Sequence, residues 1–385
     1  MPMKETACGI ICEYNPFHNG HRYQLEQVRE QLGMPAVCAM SGSFVQRGEP
    51  ACADKTFRAQ TAVVHGASVV LEIPFPYSCL SAERFAAAGV RILAACGMCS
   101  HLAFGSECAD IGALTEIAAA LCDAGVQKSI QVYQKEHPAA GYARAREAVL
   151  RQTLGDTLAE ISTHPNDILA IEYIKAIRQS QASLVPVAFR RSCGRSDAPC
   201  GSFASSSDIR ALFEARQAEQ AAAYMPQGVC LPYTRRDGFY KALHLMLMLK
   251  TPEELRGICE IGGGSEHAVV KAARDSRSYG ELFARLRCKT LTDAKIRRML
   301  LFAALGVTTE DAAEPVAYTS VLAAAQTEQA IHLLRTARRN KTIILARRVS
   351  AVRADAAAKR QYEKNDLAER VLGAADLEGA DAPTV

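Results

Sequence analysis

The sequence predicts an α/β protein, a parallel sheet wound in right-handed βαβ units and followed by a mainly helical C-terminal region. Three observations predict it. Short apolar runs alternate with helix-period segments through the first half of the chain, turn-rich loops follow the apolar runs, and β signals thin out beyond Pro226 while helical segments continue. A length of 385 residues allows two or three domains with ample core.

The elements follow in order. ACGIIC at 7–12 is a short apolar run that predicts a strand; EYNPFHNG is a loop, and HRYQLEQVREQLG, with Tyr23, Leu25 and Val28 on one side, is a helix ended by Gly33. PAVCAM at 35–40 is a second apolar run and leads into the polar loop SGSFVQRGEP. A helix at KTFRAQTAVVHGA precedes a buried strand at SVVLEIPF, closed by Pro74 and Pro76. SAERFAAAGVRILAACG predicts the next helix and HLAFGSE a further strand. From about 110 to 180 the pattern is helical, with Ile168, Ile171, Ile174 and Ile177 on one face of a helix that Pro165 and Asn166 begin. SLVPVAFRR is the last strand of this half, and a Gly/Ser loop then runs into DIRALFEARQ. Helices fill 236–305, and TIILARRVS is one more candidate strand. The expected division is 1–215, 216–372 and a frayed tail at 373–385.

Composition excludes some classes. With 45 basic and 41 acidic residues the net charge is +4, too mild to mark a polynucleotide binder by itself, so local clusters must decide. No apolar run approaches the roughly 18 to 20 residues of a membrane span. The N-terminal stretch, broken by Glu13 and Asn15, predicts no secretory signal, and 14 cysteines without one suit a reducing cytoplasm. Cys96 and Cys99 form a C-x-x-C that lacks a partner pair, so they are read as packing residues, with no metal site.

Ligands of parallel sheets sit beyond the carboxyl ends of the strands, where both EYNPFHNGH and FGSE fall. His18-Asn19-Gly20-His21 opens a helix after a strand. Unpaired amides and the positive dipole end there suit a phosphate, Gly20 admits close approach, and the two imidazoles can donate to charge developing on phosphorus. Ser205-Ser206-Ser207-Asp208-Ile209-Arg210 places hydroxyls and a cation at a second helix start, also suited to phosphate oxygens. Each is otherwise an ordinary turn or helix cap. Basic residues cluster at 335–360 (Arg335, Arg338, Arg339, Lys341, Arg347, Arg348, Arg353, Lys359, Arg360) and at 285–298 (Arg285, Arg287, Lys289, Lys295, Arg297, Arg298), enough to contact a polynucleotide backbone. Arg47, in Gln46-Arg47-Gly48-Glu49, is a cation beside the crevice that suits either RNA or ATP.

The two motifs resemble the HxGH and S-[ST]-[ST]-x-x-R signatures of the nucleotidyltransferase superfamily. More closely, GIICEYNPFHNGHRYQL, SGSFVQRGEPACADKTFRAQTAVVHGASVVLEIPF, SAERFAAAGVRIL, LAFGSE and HPNDILAIEYIKAI resemble, in order, the tRNA(Met) cytidine acetate ligase family across most of 8–212. The resemblance implies a Rossmann-like nucleotidyltransferase domain, ATP as cofactor, acetate and elongator tRNA(Met) as substrates, and N4-acetylcytidine at the wobble position as product through acetyl-adenylate; Mg²⁺ is expected beside ATP from phosphoryl chemistry in general, with no carboxylate set that names its ligands. It implies catalytic roles for His18 and His21, and ATP contacts from Ile11, Glu13, Tyr14, Asn15, His18, Gly20, His21, Gly105, Asn166, Arg191, Ser205, Ser207 and Arg210. Arg335, Arg338, Arg339, Lys341, Arg297 and Arg298 are the expected tRNA contacts. KTLTDAKIRRMLL and AYTSVLAAA resemble the family only loosely. Ser320 and Ala323 stand where the family carries an Arg and a Gly, and 192–200 departs from its glycine- and aromatic-rich pattern. A small-metabolite adenylyltransferase and a non-catalytic RNA-binding protein are the competing readings; the basic C-terminal half argues against the first, and intact His18, Gly20 and His21 against the second.

Overall fold

The computed structural model describes residues 6–191, 201–234, 236–288, 290–340, 342–346, 352 and 354–376. Its strands are β1 (Ala7–Cys12), β2 (Ala36–Ser41), β3 (Phe44–Val45), β4 (Glu49–Pro50), β5 (Ala67–Ile73), β6 (Cys99–Ser106), β7 (Val185–Arg190), β8 (Tyr318–Ala324) and β9 (Ile344–Ala346). Helices of the first half are α1 (Asn19–Leu32), α2 (Lys55–Val64), α3 (Ala82–Ala95), α4 (Ile111–Cys122), α5 (Ala124–Glu136), α6 (Tyr142–Leu154), α7 (Asp156–Ile161), α8 (Pro165–Ser180) and α9 (Ser206–Glu214). The remainder are α10 (Ala218–Ala222), α11 (Asp237–Met248), α12 (Ser265–Asp275), α13 (Tyr279–Leu286), α14 (Asp293–Leu305), α15 (Thr309–Ala313), α16 (Glu328–Arg339) and α17 (Ala356–Asp376).

A seven-stranded sheet runs in the order β7-β6-β1-β2-β5-β8-β9, with β7, β6, β1, β2 and β5 mutually parallel. Every residue of β1 and β2 is buried, as apolar runs without alternation require when helices cover both faces. Ala7 and Ile11 of β1 belong to the core beneath α3 and α8, whereas Cys8, Ile10 and Cys12 belong to the core beneath α1 and α2. The chain moves outward from β1 through β2 to β5 and then returns to the other side of β1 as β6. That reversal opens a crevice at the carboxyl ends of β1 and β6, where ligands of such sheets bind.

The structure departs from the sequence reading in the C-terminal half. AYTSVLAAA forms β8, antiparallel to β5 with Leu71 opposite Val321, and β9 extends it, so the sheet crosses the expected boundary at 215/216. The fastening continues into α17. Asn365 Oδ1 accepts the Phe75 amide at 2.9 Å, and Gln361 Oε1 accepts the Ala317 amide at 2.8 Å; both side chains are buried. The rest of this half is helical, as expected. Ser320 and Ala323 lie on β8, and 192–200 and Lys341 lie outside the described residues. The loop SGSFVQRGEP contains the small hairpin β3–β4.

Candidate active site

His18 is the N-cap of α1, with extended backbone, and its Nδ1 accepts the Gly20 amide at 3.0 Å. His21 Nδ1 accepts the His18 amide at 3.3 Å, which completes a capping box made of two imidazoles. The rings stack with centroids 3.7 Å apart. A backbone N–H only donates, so both Nδ1 atoms are unprotonated and each neutral ring carries its proton on Nε2. Burial, reinforced by the Arg191 charge, lowers His18 to about 3. Burial also lowers His21, with the charges of His18 and Arg191 adding to it. At neutral pH the pair therefore supplies two Nε2–H donors and no charge.

This neutrality has a consequence for stability. In the unfolded chain His18 takes up a proton near 6.5, whereas the folded protein resists until about 3. A group of lowered folded pKa that is neutral when deprotonated lets the unfolded state bind more protons between those values. Stability therefore falls as pH drops from 6.5 toward 3, and the His18 contribution is flat above 6.5. Urea unfolding of the nucleotide-free protein at pH 7 and pH 5 should show a lower midpoint at pH 5, and a His18→Asn variant should show less of that loss; an equal loss in both proteins would remove His18 as its source.

Gly20 serves the cap as well as any ligand, since a Cβ there would lie 2.9 Å from His18 Cε1. The preceding loop is held by its own side chains. Tyr14, at φ 48°, turns its ring into the core with its hydroxyl 3.3 Å from Cys38 Sγ, and Asn15 Oδ1 accepts the Cys52 amide at 2.7 Å. Ile11 is packed against Gly89 of α3. All three side chains are buried beneath the loop. Glu13 Oε1 accepts the Gln46 amide at 2.8 Å, and burial raises its pKa against the lowering pull of Arg210, Arg47 and Arg58.

Almost two hundred residues later in the chain, the start of α9 docks on this loop. Ser205 caps α9 in a box with Asp208, Ser206 Oγ lies 3.5 Å from Pro16 O, and Arg210 donates to Asn15 O at 2.6 Å and to Ser207 Oγ at 3.3 Å. Asn19 Nδ2 donates to Ser202 O at 2.9 Å, tying α1 to the same segment. The structure thus brings together both motifs read from the sequence. Ser205 is committed to its cap, while Ser207 lies on the exposed side of the turn.

The opposite wall lies beyond β6 and β7. Gly105 pairs with Phe189, and a Cβ on it would be 3.5 Å from Arg191, an ordinary contact, so the glycine keeps this strand end low without backbone strain. Asn166 is not the cap of α8; His164 is, its side chain making no capping hydrogen bond but meeting Asp167 Oδ2 at 3.1 Å, and Pro165 follows it. The capping task falls to Glu107, whose carboxylate accepts the Asn166 amide at 3.2 Å, the Asn166 Nδ2 at 2.6 Å and the Asp167 amide at 2.9 Å. Asn166 Oδ1 in turn accepts Arg191 at 2.9 Å, which places Arg191 at the crevice edge. Glu107 is therefore a structural residue of this wall.

Sequence reading missed Arg58, which is fully buried on α2. Its guanidinium donates to Ala53 O at 3.1 Å, Glu13 O at 2.6 Å and Ser41 O at 3.2 Å, and also to Gly42 O. It locks the carboxyl ends of β1 and β2 beneath the two-histidine turn. Also missed was Lys55, held 2.7 Å from both Glu72 and Glu369 and so joining α17 to this end of the sheet. The one available signal was a pair of cations on a helix whose other inward residues are alanines and threonine.

Of the expected tRNA contacts, Arg335, Arg338 and Arg339 are exposed on α16. Arg297 pairs with Glu49 at 2.8 Å and lies over the Phe283 ring. Arg298 corrects the sequence reading: it is 7% exposed and forks onto Glu260 at 2.7 and 3.1 Å, so its charge is satisfied inside the protein. Among the described residues no three His, Cys, Asp or Glu side chains gather as a metal site. The twelve cysteines among them are free, including Cys96 and Cys99, and no helix is long and apolar enough to cross a membrane.

A two-histidine helix start at the switch point of a parallel sheet, faced by a second phosphate-suited helix start, defines a nucleotidyl transferase. A family model described as HIGH Nucleotidyl Transferase matches residues 5–377. The tRNA(Met) cytidine acetate ligase of Acetivibrio thermocellus is 33% identical over 324 residues, covering 79% of this chain and 78% of that protein. Its Bacillus licheniformis counterpart is 36% identical over 315 residues, 76% and 74% respectively. The crystal structure of Thermotoga maritima TmcAL bound with alpha-thio ATP superposes with a TM-score of 0.84 at 26% identity, covering 97% of this chain and 94% of that one. The chain belongs to the tRNA(Met) cytidine acetate ligase family and is an ATP-dependent ligase.

Proposed function

We propose that the protein forms acetyl-adenylate and transfers its acetyl group to N4 of the wobble cytidine, position 34, of elongator tRNA(Met). In the first step an acetate oxygen attacks the α-phosphorus of ATP, the bond to the β-phosphate bridging oxygen breaks, and pyrophosphate leaves. In the second, the cytidine N4 amine attacks the acetyl carbonyl carbon, the bond to the AMP oxygen breaks, and the nitrogen gives up a proton. The observation that carries this reading is the neutral histidine pair. Two Nε2–H donors fixed by the helix cap can follow the charge that builds on the phosphoryl oxygens, without having to shed a proton first.

The remaining contacts follow from position. Gly20 would leave the phosphates room to approach the start of α1, with Ser205, Ser207 and Arg210 at the start of α9 on their other side. Gly105, Asn166 and Arg191 form the wall suited to the nucleoside. Tyr14, Asn15 and Ile11 support this site through the fold, and Glu13 lies beneath its mouth. Exposed Arg335, Arg338 and Arg339, with Arg297 partly exposed, suit the tRNA backbone. Support for the tRNA acceptor comes from the names of the relatives, for ATP from the nucleotide-bound Thermotoga structure, and for a cytoplasmic setting from free buried thiols. The test is product formation. Incubation of unmodified elongator tRNA(Met) with ATP and labelled acetate should place label in N4-acetylcytidine at position 34, and label in AMP-linked small metabolites with none in RNA would overturn the reading.

A further inference from the structure

We infer that Arg47 is the phosphate contact that seats the acceptor strand of the RNA at the mouth of the crevice, an inference that rests on the transfer reaction proposed above. Arg47 stands at the turn of the β3–β4 hairpin. Gln46 before it donates its amide to Glu13 Oε1 at 2.8 Å and its side-chain amide to Leu80 O at 3.1 Å. Gly48 after it has φ 77°, and a Cβ there would stand 2.7 Å from the Arg298 backbone nitrogen, so α14 closes over the turn. Glu49 is fixed by Arg297 at 2.8 Å. Both neighbours are pinned, yet Arg47 is exposed and makes no hydrogen bond or close ion pair among the described residues, its charge acting on the buried Glu13 carboxylate only from beyond salt-bridge distance.

Four other guanidinium groups near the carboxyl ends of β1, β2, β6 and β7 are held by the protein itself. Arg58 is buried on four carbonyls, Arg210 holds Asn15 and Ser207, Arg191 holds Asn166, and Arg190 donates to Glu107 O and Cys108 O. Arg47 is therefore a cation open to an incoming anion on the β2 side of β1, across from the Asn166–Arg191 wall. The triphosphate is already faced by two helix starts. An exposed arginine on a rigid turn suits a ligand that arrives from solvent and stays partly in it, which describes the backbone of a nucleotide whose base enters the crevice.

The experiment compares wild type, Arg47→Ala and Arg47→Lys in three measurements: acetate-dependent exchange of pyrophosphate into ATP without RNA, acetyl transfer to tRNA, and filter binding of tRNA over a range of KCl. Arg47→Ala should leave exchange within twofold of wild type, lower kcat/KM for tRNA about tenfold, and reduce the slope of log affinity against log salt by about 0.7 to 0.9. Arg47→Lys should keep the slope. Loss of RNA-free exchange in Arg47→Ala, or an unchanged salt slope, would overturn the assignment. If wild type itself shows no exchange, the acetyl-adenylate reading fails while the filter-binding slope still decides Arg47.

Discussion

Replacing His21 by alanine should reduce acetate-dependent pyrophosphate exchange by about two to three orders of magnitude, the cost of removing one preorganised donor to a developing anion. The loss has two sources. An Nε2–H aimed at the reacting phosphate disappears, and the His18 amide loses its acceptor at 3.3 Å, which loosens the ring stacked upon it. Because α1 lies at the crevice and the exposed arginines of α16 are on another element, tRNA retention on filters should be unchanged. His21→Asn separates the two sources, since an amide can accept the His18 N–H while presenting a differently placed donor; it should bind ATP like wild type and exchange far more slowly. Exchange at the wild-type rate in His21→Ala would remove His21 from the chemistry.

The second large effect is structural. Arg58→Met should destabilise the folded protein by about 3 to 5 kcal/mol, because four buried carbonyls, of Ala53, Glu13, Ser41 and Gly42, lose a charged donor and water cannot replace it. A lowered urea midpoint is the expected reading, accompanied by loss of exchange, since Glu13 belongs to the loop that carries the histidines. Arg58→Lys should recover only part of the stability, as one ammonium cannot reach four acceptors spread over three segments. A midpoint within experimental error of wild type in Arg58→Met would show that the carbonyls find other partners.

The parallel half of the sheet was legible in the sequence because its signals are local. Each apolar run is flanked by turn residues and followed by a helix-period segment, so β1, β2, β5, β6 and β7 could be placed from pattern alone. β8 was not, because YTSVLAA mixes polar and small residues, and only its pairing with β5 makes it a strand. The hairpin β3–β4 has two residues per strand, too short for any period. Within the site, the histidine turn and the Ser205–Arg210 segment were visible as motifs joined by their resemblance to one superfamily's signatures, but the contacts that join them, Arg210 on Asn15 O and Asn19 on Ser202 O, exist only in space. Arg298 shows the opposite failure. It lies in a basic cluster that reads as a nucleic-acid surface, and its partner Glu260 comes from a distant turn that charge counting along the chain does not see.

The division of labour in the molecule follows from these contacts. The sheet end, locked by Arg58 and by the Lys55 bridge to Glu369, holds the histidine cap still, and a still donor pair costs no reorganisation when phosphorus becomes five-coordinate. The helical half reaches the crevice through α14, which packs on the β3–β4 hairpin, so Arg47, proposed above to meet the RNA, stands on an element next to the histidine loop.

The measurement closest to the central claim is exchange of labelled pyrophosphate into ATP by the purified protein with acetate present and tRNA absent. The histidine crevice as described predicts exchange that requires acetate, does not require tRNA and falls by about two to three orders of magnitude in His21→Ala. No exchange with acetate, under conditions in which ATP is bound, would contradict formation of acetyl-adenylate at this site.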